Sequence, residues 1–378
     1  MDAQRLKDSF ARVAQQGDEV ALFFYSDLFI RNPQLRDMFP IGMSAQREKL
    51  LAALGNIVAQ VDNLPALVPF LQQLGRDHRK FGIVAEHYPA VGASLLATLR
   101  YFSGPMWNDD LAEDWNAAYT LVAKVMLEAA NEEGLATPAW WNAQVIAVER
   151  RRFDISVLRV VPDQPLPYQP GQSVAVETAA RPRHWRYYSI ANAPRPDHTL
   201  DFHVRLVDGG PVSTVLVRTL RVGDQLRLGA PIGTLTLDEE SSRDVLLVAG
   251  STGLAPLKAI LEQLARRPAP PRTHLFFGAR TRDALYDLEH LSKLAAELPW
   301  LTLVPAVSDE PPGPYRADTA DIEHGALPDV VARRGLWPGH DAYVCGPPAM
   351  VTPTVERLVQ LGVSRDRIRM ETFVEVQR

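Results

Sequence analysis

The chain has 378 residues, 46% of them hydrophobic and 22% charged, and a formal net charge of −5. This length is too great for one small core and predicts two or three domains. The slightly acidic balance argues against nucleic acid or an anionic membrane surface as a partner, and no apolar run is long enough for stable membrane insertion.

Cysteine usage and the amino terminus narrow the class of protein further. A single cysteine, Cys345, excludes an internal disulfide framework and any cysteine-based zinc or iron–sulfur site within one chain. Redox chemistry would therefore need bound cofactors. Met1-Asp2-Ala3 leads directly into a polar helical pattern with no signal-peptide core, so we expect a cytoplasmic protein.

Residues 1–137 are predicted to be all helix. Apolar residues such as Leu6 and Phe10 recur at helical spacing, and no alternating run is long enough for a strand. Breaks are expected at Asn32-Pro33, Asn63-Leu64-Pro65 and Ser103-Gly104-Pro105. A helical domain of this size that contains one well-placed histidine indicates a globin.

Two helical segments resemble the globin domain of the flavohaemoglobins. Phe24-Tyr25-Ser26-Asp27-Leu28-Phe29 is similar to the second helix of that family, and Gln46-Arg47-Glu48-Lys49-Leu50 to its distal helix. The resemblance implies that Tyr25 and Gln46 hydrogen-bond to iron-bound dioxygen. Leu50 lies one turn after Gln46, on the same face, and would cover the bound ligand.

His78, within Asp77-His78-Arg79-Lys80-Phe81, then takes the place of the proximal iron ligand. A histidine taken alone is more often a surface or satisfied residue, but the spacing from Tyr25 and Gln46 favours ligation. Tyr88 matches a tyrosine that helps to orient the proximal imidazole in the family. The alternative for Tyr88 is a half-buried helix aromatic without that role.

The chain departs from the flavohaemoglobin pattern at two proximal positions. Ala130 stands where the family usually has a glutamate, and Asp77 where many members have lysine. Glu128 lies about 200° away around the helix and is a poor substitute. These departures imply a less anionic imidazole and leave the preferred substrate open.

Residues 138–240 are predicted to form a small antiparallel β-barrel. An alternating pattern begins at Trp140-Trp141-Asn142-Ala143, with almost no linker before it. Proline and glycine turns separate further short strands, which we expect at residues 154–161, 173–177, 187–191, 199–206 and 225–228.

Three motifs in this barrel recur at the same spacing in the flavin barrels of ferredoxin-reductase-like enzymes. They are Tyr168-Gln169-Pro170-Gly171-Gln172, Arg186-Tyr187-Tyr188-Ser189 and Gly209-Gly210-Pro211-Val212-Ser213-Thr214. Arginine suits the FAD diphosphate, tyrosine the flavin face and serine the flavin N5 atom, while a helix N-terminus binds phosphate. The alternative is an ordinary barrel with tyrosines packed on its wall. The resemblance implies that FAD contacts Tyr168, Arg186, Tyr188, Ser189, Gly210 and Ser213.

Residues 241–378 alternate between strands and helices, which predicts a Rossmann-like NAD(P)-binding domain. An apolar strand at 245–249 runs into Gly250-Ser251-Thr252-Gly253-Leu254-Ala255-Pro256 and an amphipathic helix at 257–264. In such a first βα turn, small residues let a pyrophosphate approach the helix N-terminus, so Gly250, Thr252 and Gly253 are expected to bind the dinucleotide. Further strands are expected at 274–280 and 301–307.

The segment Tyr343-Val344-Cys345-Gly346-Pro347 resembles the Cys-Gly-Pro motif that lines the nicotinamide in this reductase family. Cys345, Gly346 and Pro347 are therefore expected at the nicotinamide, although Cys345 is equally well explained as a small buried apolar residue. By the same resemblance, Glu371 and Phe373 in the last strand lie near the flavin; the alternative for Phe373 is a core position.

The order of a globin, a flavin barrel and a nicotinamide domain is that of the flavohaemoglobins. The resemblance implies haem b, FAD and NADH or NADPH as cofactors, with dioxygen and nitric oxide as ligands. Electrons would pass from NAD(P)H through FAD to haem, and nitric oxide would be converted to nitrate. Gly278-Ala279-Arg280 resembles turns of reductases that often prefer NADH. Alternatives are a haem-flavin oxidoreductase that acts on an organic acid or peroxide, a gas-sensing globin with its own reductase, and a flavin reductase without haem.

Overall fold

The computed structural model describes residues 1–310 and 322–373. The chain divides into two compact units, one formed by Met1–Trp140 with Pro182–His184 and one by Trp141–Arg181 with Trp185–Arg378. In the part of the chain described, no helix is both long enough and apolar enough to cross a bilayer.

The first unit is helical, as predicted. Asn32-Pro33 follows the second helix, Pro65 lies in the first turn of the fourth, and Gly104 ends the fifth with a positive φ of 53°. These are the predicted breaks. The helices are α1 Ala3–Val13, α2 Asp18–Arg31, α3 Ser44–Ala59, α4 Leu64–His78, α5 Tyr88–Ser103 and α6 Asp109–Ala136.

Helix α4 packs closely on α6 because Gly75 has no side chain. A Cβ atom at Gly75 would lie 2.2 Å from the carbonyl oxygen of Met126. Leu67, Leu71 and Met126 are buried where the two helices meet. This contact fixes the end of α4, where His78 lies.

The second unit begins with a curled antiparallel sheet, which confirms the predicted barrel. Its strand order is β4-β3-β6-β1-β2-β5, and a bridge between Ile190 and Phe202 brings the continuation of β4 back to β5. The elements are β1 Trp141–Arg152, β2 Ile155–Pro162, β3 Ser173–Thr178, β4 Arg181–Ser189, β5 Leu200–Arg205, α7 Pro211–Arg218 and β6 Gln225–Leu228.

Most strands lie within one residue of their predicted bounds, but one strand begins well before its predicted start. Strand β4 starts at Arg181 rather than at residue 187, because Arg181 pairs with Thr178 of β3 across an irregularity in the register. The residues that open β4 are polar and exposed, so no alternation in the sequence marks them.

The rest of the second unit is a parallel sheet with helices, as expected for a Rossmann-like domain. The strand order is β10-β9-β8-β7-β11-β12. Strands β8, β9 and β10 lie on one side of β7, and β11 and β12 lie on the other. The point between β7 and β11 is therefore a topological switch point, where ligands bind at the carboxyl ends of the strands. The elements are β7 Val245–Gly250, α8 Leu254–Leu264, β8 Thr273–Ala279, α9 Leu288–Glu297, β9 Leu301–Val307, β10 Glu323–His324, α10 Leu327–Arg333, β11 Asp341–Gly346, α11 Pro348–Gln360 and β12 Ile368–Thr372.

Candidate functional site

Tyr25 lies inside the helical unit, in contact with other aromatic rings. Its side chain is 6% exposed, and its ring centroid lies 5.8 Å from that of Phe29 and 5.5 Å from that of Phe39. Burial raises the pKa of the Tyr25 hydroxyl to about 12. The phenol therefore keeps its proton at physiological pH and can donate a hydrogen bond.

The structure brings Gln46 to Tyr25, as the sequence predicts. A hydrogen bond from the Gln46 side chain lowers the Tyr25 pKa, against the larger effect of burial. The Gln46 side chain therefore faces the Tyr25 hydroxyl. As a protonated phenol, Tyr25 can donate a hydrogen bond to an acceptor placed beside it. Leu50 packs against the same apolar cluster as Tyr25.

His78 ends α4 and is half-buried. Its Nδ1 atom lies 2.8 Å from the carbonyl oxygen of Leu74, and only a protonated Nδ1 can donate to that oxygen. The neutral imidazole then presents the lone pair of Nε2. Burial lowers the pKa of His78, which favours this neutral form. A neutral imidazole with a fixed tautomer is the form that ligates haem iron.

Tyr88 lies near this helix but is not bonded to His78. Its backbone oxygen accepts a 2.6 Å hydrogen bond from the Tyr119 hydroxyl, and its ring packs against the cluster that contains Leu67 and Leu71. Among the described residues, no hydrogen bond joins the Tyr88 hydroxyl to His78. The structure therefore gives no direct support to an orienting role for Tyr88.

Glu128 does not replace the glutamate that the family usually has at the position of Ala130. The Glu128 side chain is 60% exposed and lies 3.9 Å from Lys124, on the outer face of α6. Ala130 offers only a methyl group at the family's glutamate position.

Asp77, the second departure from the family, has a structural explanation. Lys80 has a side chain that is only 3% exposed, and it forms an ion pair with Asp77. Burial lowers the pKa of Lys80, and Asp77 opposes that effect. A lysine at position 77 would place a second cation beside Lys80. The aspartate is therefore matched to a buried lysine that the sequence motif did not single out.

Two of the flavin motifs carry tyrosines that line the barrel core. Tyr168 and Tyr188 both pack against the barrel core, and burial raises the pKa of each hydroxyl. The Tyr168 hydroxyl donates to the backbone oxygen of Asn192 at 2.9 Å. Arg186 and Tyr188 are alternate residues of β4 and point to the same face. Arg186 is half-buried on that face, as a diphosphate ligand would need to be.

The loop before α7 is closed by Ser213. Its hydroxyl accepts a hydrogen bond from the amide of Val207 at 3.1 Å and donates to the Gly210 oxygen at 3.3 Å. A Cβ atom at Gly210 would come within 2.5 Å of the Ser213 hydroxyl. The Ser213 side chain thus shapes the turn before α7. Because Pro211 has no N–H, Val212 and Ser213 carry the first-turn amides that could bind phosphate.

The two predicted nicotinamide segments touch through their backbones. A Cβ atom at Gly253 would lie 2.1 Å from the backbone oxygen of Cys345, and one at Gly250 would lie 3.1 Å from Pro347. Gly346 approaches Gly250 equally closely. Small residues are therefore required in the turn after β7, where Thr252 lies half-buried beside them.

Cys345 is fully buried, and burial raises the pKa of its thiol well above the usual value. The thiol is therefore protonated and not a nucleophile. Phe373 packs against the apolar cluster that contains Cys345, and its amide donates to the Gly346 oxygen at 3.1 Å.

Glu371 carries a polar atom that lacks a partner. Its Oε1 atom accepts a 3.2 Å hydrogen bond from the Ser173 hydroxyl, which also lies 3.3 Å from the Ser189 hydroxyl. Within the described residues, the buried Oε2 atom has no hydrogen-bond partner. Burial raises the pKa of Glu371, so the group binds a proton more readily than an ordinary carboxyl. Ser189 and Glu371 are thus brought together from segments far apart in sequence.

Ser173 is the member of this group that sequence reasoning missed. It directly follows the motif Tyr168-Gln169-Pro170-Gly171-Gln172, so its place after a flavin motif was a signal. Its partner Glu371 lies 198 positions away, and no local pattern reveals that pairing.

The residues present fit all three cofactors. His78 offers a free Nε2 lone pair, which suits haem iron. The orphaned Oε2 atom of Glu371, a residue linked to Ser189 through the Ser173 hydroxyl, suits a polar ring such as flavin. The glycines packed on Cys345 and Gly346 form a turn that a dinucleotide can approach closely.

Comparisons with known proteins agree with this arrangement. Residues 22–126 match the globin family model, residues 143–237 the oxidoreductase FAD-binding domain and residues 247–356 the oxidoreductase NAD-binding domain. A flavohemoprotein from Chromobacterium violaceum is 31% identical over 385 residues, which cover 95% of this chain and 94% of that relative.

Two solved structures are also similar. A flavohemoglobin from Malassezia yamatoensis with bound FAD and heme shares the fold, with a TM-score of 0.79, 17% identity and 98% coverage of both chains. The flavohem-like FAD/NAD-binding domain of a nitric oxide dioxygenase from Vibrio cholerae is 25% identical with a TM-score of 0.53, and covers 62% of this chain and 98% of its own.

The predicted fold class and the predicted haem, FAD and NAD cofactors are thereby confirmed. The domain composition is that of an NAD(P)H-dependent oxidoreductase with a globin module for gas ligands. The chain belongs to the flavohemoprotein family.

Proposed function

We propose that this chain is a nitric oxide dioxygenase that uses NAD(P)H and dioxygen to convert nitric oxide to nitrate. The observation that carries the proposal is the buried, protonated Tyr25 hydroxyl with the Gln46 side chain beside it, a pair of polar groups inside an apolar cluster. When bound, the three cofactors would supply electrons from nicotinamide through flavin to haem iron, where the gases react. The name of the Vibrio cholerae relative supports the same activity.

Residues of the helical unit would hold and cover the gas ligands. Tyr25 would donate its O–H to a ligand oxygen, and the neighbouring Gln46 amide would offer a second polar contact to the same ligand. Leu50 is an apolar neighbour that excludes water from the ligand. His78 would ligate the iron through Nε2, while the Leu74 carbonyl oxygen holds its ring through Nδ1. Tyr88 supports the packing of this helix and would act on His78 only after rearrangement.

Residues of the second unit would bind FAD and the nicotinamide. Arg186 and the first turn of α7 would hold the FAD diphosphate, and Tyr168 and Tyr188 would line the flavin. Ser189 and Glu371 would bond to polar atoms of the flavin ring, with Glu371 able to hold a proton on Oε2. Remaining contacts to the dinucleotide and the flavin loop are assigned to Gly210, Ser213, Gly250, Thr252, Gly253, Cys345, Gly346, Pro347 and Phe373.

The corresponding domains are a globin haem domain at residues 1–137, an FAD-binding barrel at 138–240 and an NAD(P)H-binding domain at 241–378. We prefer NADH as the donor, because of the turn at Gly278-Ala279-Arg280. Parallel assays with NADH and NADPH test that preference.

The deciding experiment follows NADH oxidation and nitric oxide loss together, in air, with protein reconstituted with haem and FAD. His78→Ala is compared with His87→Ala, whose ring only accepts a hydrogen bond from the Val84 amide at 3.3 Å. We expect rapid, NADH-dependent nitric oxide loss in wild type and His87→Ala. His78→Ala should lose that activity and also the Soret absorbance of bound haem.

A second candidate function is oxidation or reduction of another substrate, such as an organic acid or peroxide. It is favoured by the exposed position of Glu128 and the missing bond between Tyr88 and His78, which leave the imidazole without a proximal carboxylate from α6. If NADH reduces the flavin and nitric oxide persists, a substrate screen with peroxides and organic acids becomes the next step.

A further inference from the structure

Strand β5 of the flavin barrel makes two side-chain hydrogen bonds to the parallel-sheet part of the second unit, from β7 onward, which is called the dinucleotide lobe below. His203 and Arg205 are alternate residues of this strand, so both project from the same face. His203 lies 2.7 Å from the Tyr286 hydroxyl, and Arg205 donates to the Ser251 hydroxyl at 3.2 Å. Neither residue belongs to a flavin or nicotinamide motif.

The contact between His203 and Tyr286 is buried and neutral. His203 is 5% exposed and Tyr286 is 9% exposed. Burial lowers the pKa of His203 to about 3, so the imidazole has no charge at physiological pH. The Tyr286 hydroxyl and the Nδ1 atom can therefore share one directional hydrogen bond in the absence of water.

An ion pair beside Tyr286 reinforces this contact. Asp287 is 1% exposed and lies 2.8 Å from the Lys258 ammonium, which extends from α8. Arg151 of the barrel lies 3.9 Å from the other Asp287 oxygen. The loop that carries Tyr286 is thus held from both the barrel and the dinucleotide lobe.

The contact between Arg205 and Ser251 holds a strained turn. Ser251 has a φ of 53°, in the left-handed region that favours glycine. Its hydroxyl accepts from Arg205, whose Nε atom lies 3.5 Å from Asp154. The barrel therefore supports a conformation that costs energy for a serine.

Both hydrogen bonds hold loops that pack against the segment Cys345-Gly346. The turn that begins at Ser251 contains Gly253, and that glycine presses on the backbone of Cys345 and Gly346. Tyr286 packs in the same apolar cluster as Cys345. A shift of either loop would therefore move the segment proposed to line the nicotinamide.

We propose that His203 and Arg205 are positioning residues for hydride transfer, which fix the dinucleotide loops against the flavin barrel. They act through Tyr286 and Ser251 rather than by touching substrate. Reactions that transfer a hydride are sensitive to displacements of about 1 Å, which reduce rates by as much as about 100-fold. The proposal concerns flavin reduction only and needs no nitric oxide, so it can fail independently of the proposed function.

The test is anaerobic stopped-flow reduction of the bound FAD over a range of NADH concentrations. It separates the dissociation constant of NADH from the limiting reduction rate, and the long-wavelength charge-transfer absorbance reports stacking of nicotinamide on flavin. Tyr286→Phe removes the hydroxyl and keeps the ring. Tyr343→Phe is the matched control, because its hydroxyl accepts a single hydrogen bond from the Asp238 amide at 3.1 Å in the same lobe.

We expect Tyr286→Phe to lower the limiting rate roughly tenfold and weaken the charge-transfer band, with little change in the NADH dissociation constant. Tyr343→Phe should melt at a similar temperature and reduce flavin at the wild-type rate. Equal rates in the two variants and wild type would overturn the role of the Tyr286 contact.

Arg205→Gln and Ser251→Gly test the hydrogen bond between Arg205 and Ser251. Both should lower the limiting rate with an unchanged NADH dissociation constant, even though Ser251→Gly relieves backbone strain and should raise the melting temperature. If Arg205→Gln instead weakens NADH binding at an unchanged limiting rate, Arg205 is a phosphate ligand and the positioning role is wrong.

Discussion

Replacement of Tyr25 by phenylalanine should accelerate dioxygen dissociation from the reduced holoprotein. The Tyr25 side chain is 6% exposed, so a hydrogen bond from its hydroxyl forms with little competition from water. Hydrogen bonds to charged acceptors contribute about 1.5–3 kcal/mol. Bound dioxygen carries partial negative charge, so we expect dissociation to become about 10- to 150-fold faster.

The variant should fold normally, since phenylalanine keeps the ring contacts with Phe29 and Phe39. Gln46 is half-buried, so water can replace its contact with the missing hydroxyl. The loss of function would therefore be separable from a loss of stability.

The assay displaces dioxygen with carbon monoxide and follows the Soret absorbance. Tyr101→Phe, at a side chain that is 65% exposed, is the control and should match wild type. A Tyr25→Phe dissociation rate within about twofold of wild type, in protein that retains haem, would refute the assignment of Tyr25 as the donor.

Three further changes probe stability. Gly75→Ala should destabilise the helical unit by about 1–3 kcal/mol, because the methyl group meets the Met126 backbone; thermal unfolding measures this, and an unchanged melting temperature would contradict it. Asp77→Lys should lower the free energy of unfolding by about 3 kcal/mol, because it leaves the buried Lys80 beside a like charge. It should also reduce haem retention, and a gain in haem affinity would show that the family's lysine is tolerated here. Glu371 has a raised pKa, so its contribution to stability is complete below its usual value of 4.5 and is lost as pH rises through the raised value. Melting temperatures of the apoprotein should therefore fall relative to Glu371→Gln as the pH rises above 4.5, and parallel curves would refute this.

Local sequence was sufficient for most of the fold. Helix breaks at Asn32-Pro33 and Ser103-Gly104-Pro105 follow from the backbone limits of proline and glycine, which need no tertiary information. The short strand at residues 225–228 and the buried strand at 301–307 have the predicted bounds. The start of β4 was missed because its first residues are set by pairing with β3 and not by their own pattern.

Part of the candidate site could also be predicted, because some of its residues follow local sequence patterns. Gln46 and Leu50 share a helix face by spacing alone, and the turn after β7 is recognisable from its small residues. Resemblance to a family supplied the pairing of Tyr25 with Gln46, and the structure places the Gln46 side chain near enough to affect the pKa of the Tyr25 hydroxyl.

What the sequence by itself determined is the order of elements, the three domain types and the residues that carry local motifs. Only the tertiary structure decided which distant residues meet: the Ser173 hydroxyl on Glu371, His203 on Tyr286, and Lys80 buried against Asp77. The physical reason is that the free energy of a buried polar group depends on the partner that folding brings to it. A partner from a distant strand leaves no periodic or local mark in the chain.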